Sequence, residues 1–88
     1  MAPSWEPLAR HIRRAVSLVN SVADEAGDEE ITPSEIAEAI RDASDAGAAA
    51  PEKVRRYLLE ALDAVSDGMP ADYVAMSLYA ALGALREA

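Results

Sequence analysis

Residues 47–70 read GAAAPEKVRRYLLEALDAVSDGMP, and this stretch decides the fold. Between the two Gly/Pro boundaries, Val54, Leu58, Ala61, Leu62 and Val65 recur at steps of three and four. That is the period of an α-helix, and it lines these residues along one side. Tyr57 and Leu59 widen the stripe on either flank. Pro51 suits a first helical position, where a backbone N–H would lack a partner anyway. Gly68 suits the residue just past a helix end, where a left-handed conformation is common. The stretch predicts a helix over about 51–67.

The same punctuation continues outward in both directions. Pro70 opens a helix over about 70–87, with Val74, Leu78, Ala81, Leu82 and Leu85 turned inward. Toward the N-terminus, Gly47 closes a helix that begins at Pro33 and runs over about 33–46. Thr32 is a suitable cap for it. Glu35, three residues on, completes a capping-box pattern. The inward face of that helix is thin, with Ile36, Ala39, Ile40 and Ala43. A first helix over about 5–26 carries Trp5, Leu8, Ile12, Ala15, Val16, Val19, Val22, Ala23 and Ala26 on one face, and Gly27 follows it. Pro7 falls in its first turn, where it is tolerated. No segment alternates with period two, so no strand is predicted. Linkers of four to seven residues favour antiparallel neighbours. The expected fold is all-α: one small domain, residues 1–88, folded as an antiparallel four-helix bundle.

The core is modest. Of the 88 residues 51% are hydrophobic, but 20 of these are alanine, which buries little area. A chain this short has only a small surplus of burial over chain entropy. Marginal monomer stability, or help from a partner or a second copy, is therefore expected. There is no Cys, which excludes disulfides, thiolate metal sites and Cys nucleophiles. No apolar run approaches the length of a membrane span. The N-terminus lacks the pattern of a signal peptide. A cytoplasmic protein with no membrane role is the default expectation, and the initial Met1 favours a complete small protein.

Catalytic and cofactor signatures are missing from the pattern. His11 is the single His, where a metal site needs several converging ligands; a Ser-His-Asp triad would need it as base, but nothing near Ser4, Ser17 or Ser21 sets up an oxyanion hole or a nucleophile turn. It reads as a half-buried structural residue at the border of the apolar face. The four glycines are scattered singly and form no phosphate loop. The acidic segment 24–30 lacks the ligand spacing of a calcium loop. No enzymatic activity, no metal and no cofactor are expected.

Charge is where the sequence is unusual. The net charge is −8, and all of it lies in residues 24–45. That segment holds Asp24, Glu25, Asp28, Glu29, Glu30, Glu35, Glu38, Asp42 and Asp45 against Arg41 alone. The helix dipole favours acids near its N-terminus, which accounts for Glu29, Glu30 and Glu35 but not for Asp42 and Asp45. The sequence therefore points to an acidic loop and helix surface formed by Asp28, Glu29, Glu30, Glu35, Glu38, Asp42 and Asp45. Such a surface repels nucleic acid and attracts a basic protein surface. An inhibitor occupying a nucleic-acid-binding groove is one concrete version. A solubilising surface explains the same residues. Arg10, Arg13 and Arg14 form an opposing basic cluster, expected to pair with acids of a neighbouring helix or with an acidic partner. Glu6 and Arg10 have the spacing of a helical ion pair.

The last helix has a second apolar stripe. At 100° per residue, Met76, Tyr79 and Gly83 fall together, opposite Val74, Leu78 and Leu85. Met and Tyr are enriched at interfaces. Gly83 costs about 1 kcal/mol in a helix interior, which a close helix approach would justify. The alternative function is therefore a self-associating docking domain that forms a homodimer through this helix. If the helix were central in the bundle, the stripe would instead be buried.

Two further segments, Arg55-Arg56-Tyr57-Leu58-Leu59-Glu60-Ala61 and Ala80-Ala81-Leu82-Gly83-Ala84-Leu85, resemble the C-terminal helices of the tRNA-modifying GTPase family. The resemblance covers less than half of the chain. The family's GTPase loop and its terminal Cys motif have no counterpart here, so the activity is not expected to carry over.

Overall fold

A computed structural model describes residues 5–24 and 32–87, with side chains for 5–21 and 32–87. They form four helices: α1 (Glu6–Asp24), α2 (Pro33–Ala46), α3 (Glu52–Ser66) and α4 (Ala71–Arg86). There is no strand among the described residues. The expected end of the first helix near Ala26 lies outside the described residues, as do Gly27 and the side chains of Val22 and Ala23.

The helix boundaries follow from local hydrogen bonding, with two corrections. At α2, the Thr32 hydroxyl accepts from the Glu35 backbone N–H at 3.2 Å, and the Glu35 carboxylate accepts from the Thr32 N–H at 3.3 Å. This is the expected capping box, with Pro33 in the first turn. Pro51 and Pro70, however, stand just before their helices and not at the first helical position. Their φ of −53° and −57° would suit a helix, but ψ near 150° is extended. Their carbonyls still accept the first helical bonds, from Val54 at 3.0 Å and Tyr73 at 3.0 Å. Neither ring offers a capping oxygen, so α3 and α4 start without a side-chain cap.

The second correction concerns glycine. Gly68 has φ +73° and ends α3 with a complete Schellman pattern. Met69 N–H donates to the Ala64 carbonyl at 2.9 Å, and Gly68 N–H donates to that of Val65 at 3.1 Å. Gly47 closes α2 at φ −102°, which any residue adopts. Its smallness answers a different need. A Cβ there would stand 3.0 Å from both terminal methyls of Leu8, so α1 packs against the end of α2 through the missing side chain.

Each helix packs against the next, and α4 closes on α1. Among the described residues the backbones of the diagonal pairs α1–α3 and α2–α4 come nowhere within 8 Å, Cα to Cα. The core sits between the four. Ile12, Val19, Ile40, Val54, Leu58 and Leu78 are almost wholly buried in it, with Leu8 beside them. Alanines fill the space between these larger groups: Ala15, Ala39, Ala43, Ala61 and Ala81 are all inside. Leu62 and Val65, expected inward, are half-buried against this cluster. Leu59 does not widen the core: it is 57% exposed, whereas Tyr57 is half-buried.

Candidate interaction surfaces

α2 and α4 each pack against α1 and α3 and not closely against each other, and each keeps one exposed face. On α2, Ile36, Ile40 and Ala43 turn inward, and the helical period then throws Glu38, Asp42 and Asp45 outward. All three are exposed, as is Arg41 among them. Arg41 stands three residues from Glu38 and four from Asp45, yet it makes no ion pair with either. Glu35 is exposed too, but its carboxylate is engaged by the Thr32 N–H in the capping box. It has a structural task, which separates it from the other three. Asp28, Glu29 and Glu30, the loop half of the expected acidic surface, lie outside the described residues.

On α4, Val74, Leu78, Ala81 and Leu85 are buried, and the opposite side carries Met76 and Tyr79, exposed by 69% and 53%. Gly83 is exposed on the same side, and a Cβ added there would meet nothing within 4 Å. The stripe read from the sequence therefore lies on the surface and not inside the bundle. The fold also gives Gly83 no close helix approach within the chain. Tyr79 is held at its hydroxyl, which accepts from the Asn20 amide at 3.3 Å and ties α4 to α1. Beside the stripe a groove of about 210 Å3 runs between α3 and α4, lined by Tyr57, Glu60, Tyr73, Met76, Ser77 and Ala80. Sequence reasoning reached Tyr57 as a flank of the α3 stripe. It missed the two charged residues that end the α4 stripe, Asp72 and Arg86. The signal was present: positions 72, 76, 79, 83 and 86 are spaced four, three, four and three.

The basic cluster of α1 behaves differently from expectation. Arg10, Arg13 and Arg14 are all exposed. Arg13 pairs with Glu6 of its own helix at 3.4 Å, and among the described residues Glu6 makes no ion pair with Arg10 and no neighbouring helix supplies a partner for Arg13. Arg10 and Arg14 make no ion pair among the described residues. A second groove of about 280 Å3 lies where the start of α1 meets the end of α4, between Trp5, Arg13, Leu82 and Arg86. His11 is half-buried, and among the described residues no three His, Asp or Glu side chains stand close enough to share a metal ion. No described helix is long and apolar enough to cross a membrane.

No family model, curated protein or solved structure matches this chain.

Proposed function

We propose that this chain is a non-enzymatic protein-interaction module that binds a basic protein surface through the outward face of α2. Glu38, Asp42 and Asp45, all exposed on one face of α2 and none of them in an ion pair among the described residues, carry this reading. Three like charges within two helical turns repel one another. The inward side of α2 has only Ile36 and Ile40 as large anchors to offset that repulsion. A cationic partner would relieve it. A Lys- and Arg-lined groove built for a phosphate backbone is one such partner.

The course of the chain is part of the proposal. We read successive helices as antiparallel. Leu8 near the start of α1 meets Gly47 at the end of α2. Lys53 at the start of α3 reaches Glu87 after α4 at 3.9 Å. Trp5 and Arg86 line one groove.

The test is capture from a lysate of the source cells, at about 50 and 500 mM salt, by the native chain and by a Glu38→Gln, Asp42→Asn, Asp45→Asn variant. The captured protein is then purified and its binding titrated. The expected result is affinity at least about tenfold weaker in the variant, and a steep loss with salt for the native chain alone. Equal affinity of the two chains would make the acidity a solubilising feature and end this reading.

A further inference from the structure

We propose that the chain forms a homodimer through α4, with the two copies of α4 antiparallel and Tyr79 at the twofold axis. This does not depend on what α2 binds.

Asp72, Met76, Tyr79, Gly83 and Arg86 form one exposed stripe about 21 Å long, at the 4-3-4-3 spacing of a helix–helix seam. Its middle is apolar, and Met76 there is the most exposed large hydrophobic residue described. The charges at its ends choose the occupant and its direction. Asp72 and Arg86 make no ion pair within the chain among the described residues. A second α4 laid parallel would set Asp72 beside Asp72 and Arg86 beside Arg86. Laid antiparallel, it sets each Asp72 beside the other copy's Arg86, so the stripe complements itself under a twofold axis, as an isologous contact requires.

The register follows from the same residues. Position 79 is the midpoint of 72 and 86, so pairing the end charges brings the two Tyr79 rings together. Met76 then falls within one residue of the other copy's Gly83. The space that a Cβ at Gly83 would leave unfilled within the chain is open to receive that methionine. Tyr79 is already fixed by Asn20, which lowers the ordering cost of association. Each copy carries −8, and a contact through α4 is made on a helix that does not neighbour the acidic α2.

A single-helix seam is at the small end of specific interfaces, so the dimer should be weak. The experiment is sedimentation equilibrium of the full chain from about 10 μM to 1 mM, with circular dichroism to check that each variant folds. The expected result for the native chain is a monomer–dimer equilibrium that persists at about 0.5 M salt. Met76→Glu and Gly83→Leu should each weaken it about 100-fold or more, because each change enters the seam twice. Asp72→Arg and Arg86→Asp should each weaken it about tenfold, and the double exchange should restore it, since the exchanged charges again face each other. A native monomer throughout the range overturns the proposal. So does a dimer that survives Met76→Glu, or an association that about 0.5 M salt abolishes, which would match Arg10 and Arg14 against a second copy's α2. A dimer lost in Met76→Glu but not restored by the double exchange overturns the antiparallel arrangement.

Discussion

The outward faces of α2 and α4 occupy equivalent positions in the bundle and have opposite chemistry. Both helices bury one side against two neighbours and leave the other to solvent. The exposed side of α2 carries carboxylates, while that of α4 carries Met76, Tyr79 and Gly83. Their buried sides differ in the opposite sense. α2 is anchored by two isoleucines among alanines, whereas α4 has Val74, Leu78 and Leu85. The helix with the weaker anchor also carries the self-repelling surface. The fold therefore concentrates electrostatic cost on one side and exposed apolar area on the other. Apart from the Tyr79 hydroxyl, which Asn20 holds, neither surface is tied to another helix among the described residues.

The largest effects should come from breaking what both faces stand on. Ile40→Ala and Leu78→Ala each remove a wholly buried side chain. Urea denaturation should show a loss of about 2–5 kcal/mol for each. Ile40→Ala leaves Ile36 as the one large buried residue of α2, so amide exchange in α2 should quicken more than in α4.

Capping gives a smaller contrast. Thr32→Ala breaks the box at the start of α2 and should cost about 1 kcal/mol in thermal unfolding. No equivalent change exists at α4, where Pro70 has no capping side chain.

Glycine separates structural need from surface use. Gly47→Ala drives a methyl against Leu8 and should lower stability by about 1 kcal/mol. Gly83→Ala adds a methyl in open space inside a helix and should raise it by about 0.5–1 kcal/mol, both read from denaturant midpoints. A gain at Gly83 would show that the monomer does not need this glycine.

The smallest effect concerns charge. The variant with Glu38, Asp42 and Asp45 neutralised should be more stable by about 0.5 kcal/mol at low salt. The difference should vanish at about 0.5 M salt as repulsion is screened.

Much of this arrangement was legible in the sequence because the large apolar residues keep helical spacing. Leu8, Ile12, Val16 and Val19 in α1 and Leu58 in α3 fall inside where their period puts them. The outward placement of Met76, Tyr79 and Gly83 was legible for the same reason, since the middle of their stripe lies about 150° around the helix from that of Val74, Leu78 and Leu85. Alanine blurred the rest. Ala9, Ala37, Ala50, Ala64, Ala75 and Ala84 are buried, but alanine is common on both faces of a helix and marks neither. Leu59 was misjudged because a leucine beside Leu58 invites a wider stripe, whereas its direction on the helix is toward solvent. Gly47 and Pro51 showed that a boundary lay near them, but not why. The contact of Leu8 with Gly47 joins residues 39 positions apart, and no local pattern encodes it.

The division of labour between the two faces is the central claim, and one side-by-side capture tests it. Native chain, the α2 variant with Glu38, Asp42 and Asp45 neutralised, and Met76→Glu are each offered the same purified partner at low salt. The account predicts that Met76→Glu still binds the partner and that the α2 variant does not. A partner lost on Met76→Glu and kept on the α2 variant would contradict it and make α4 the recognition surface.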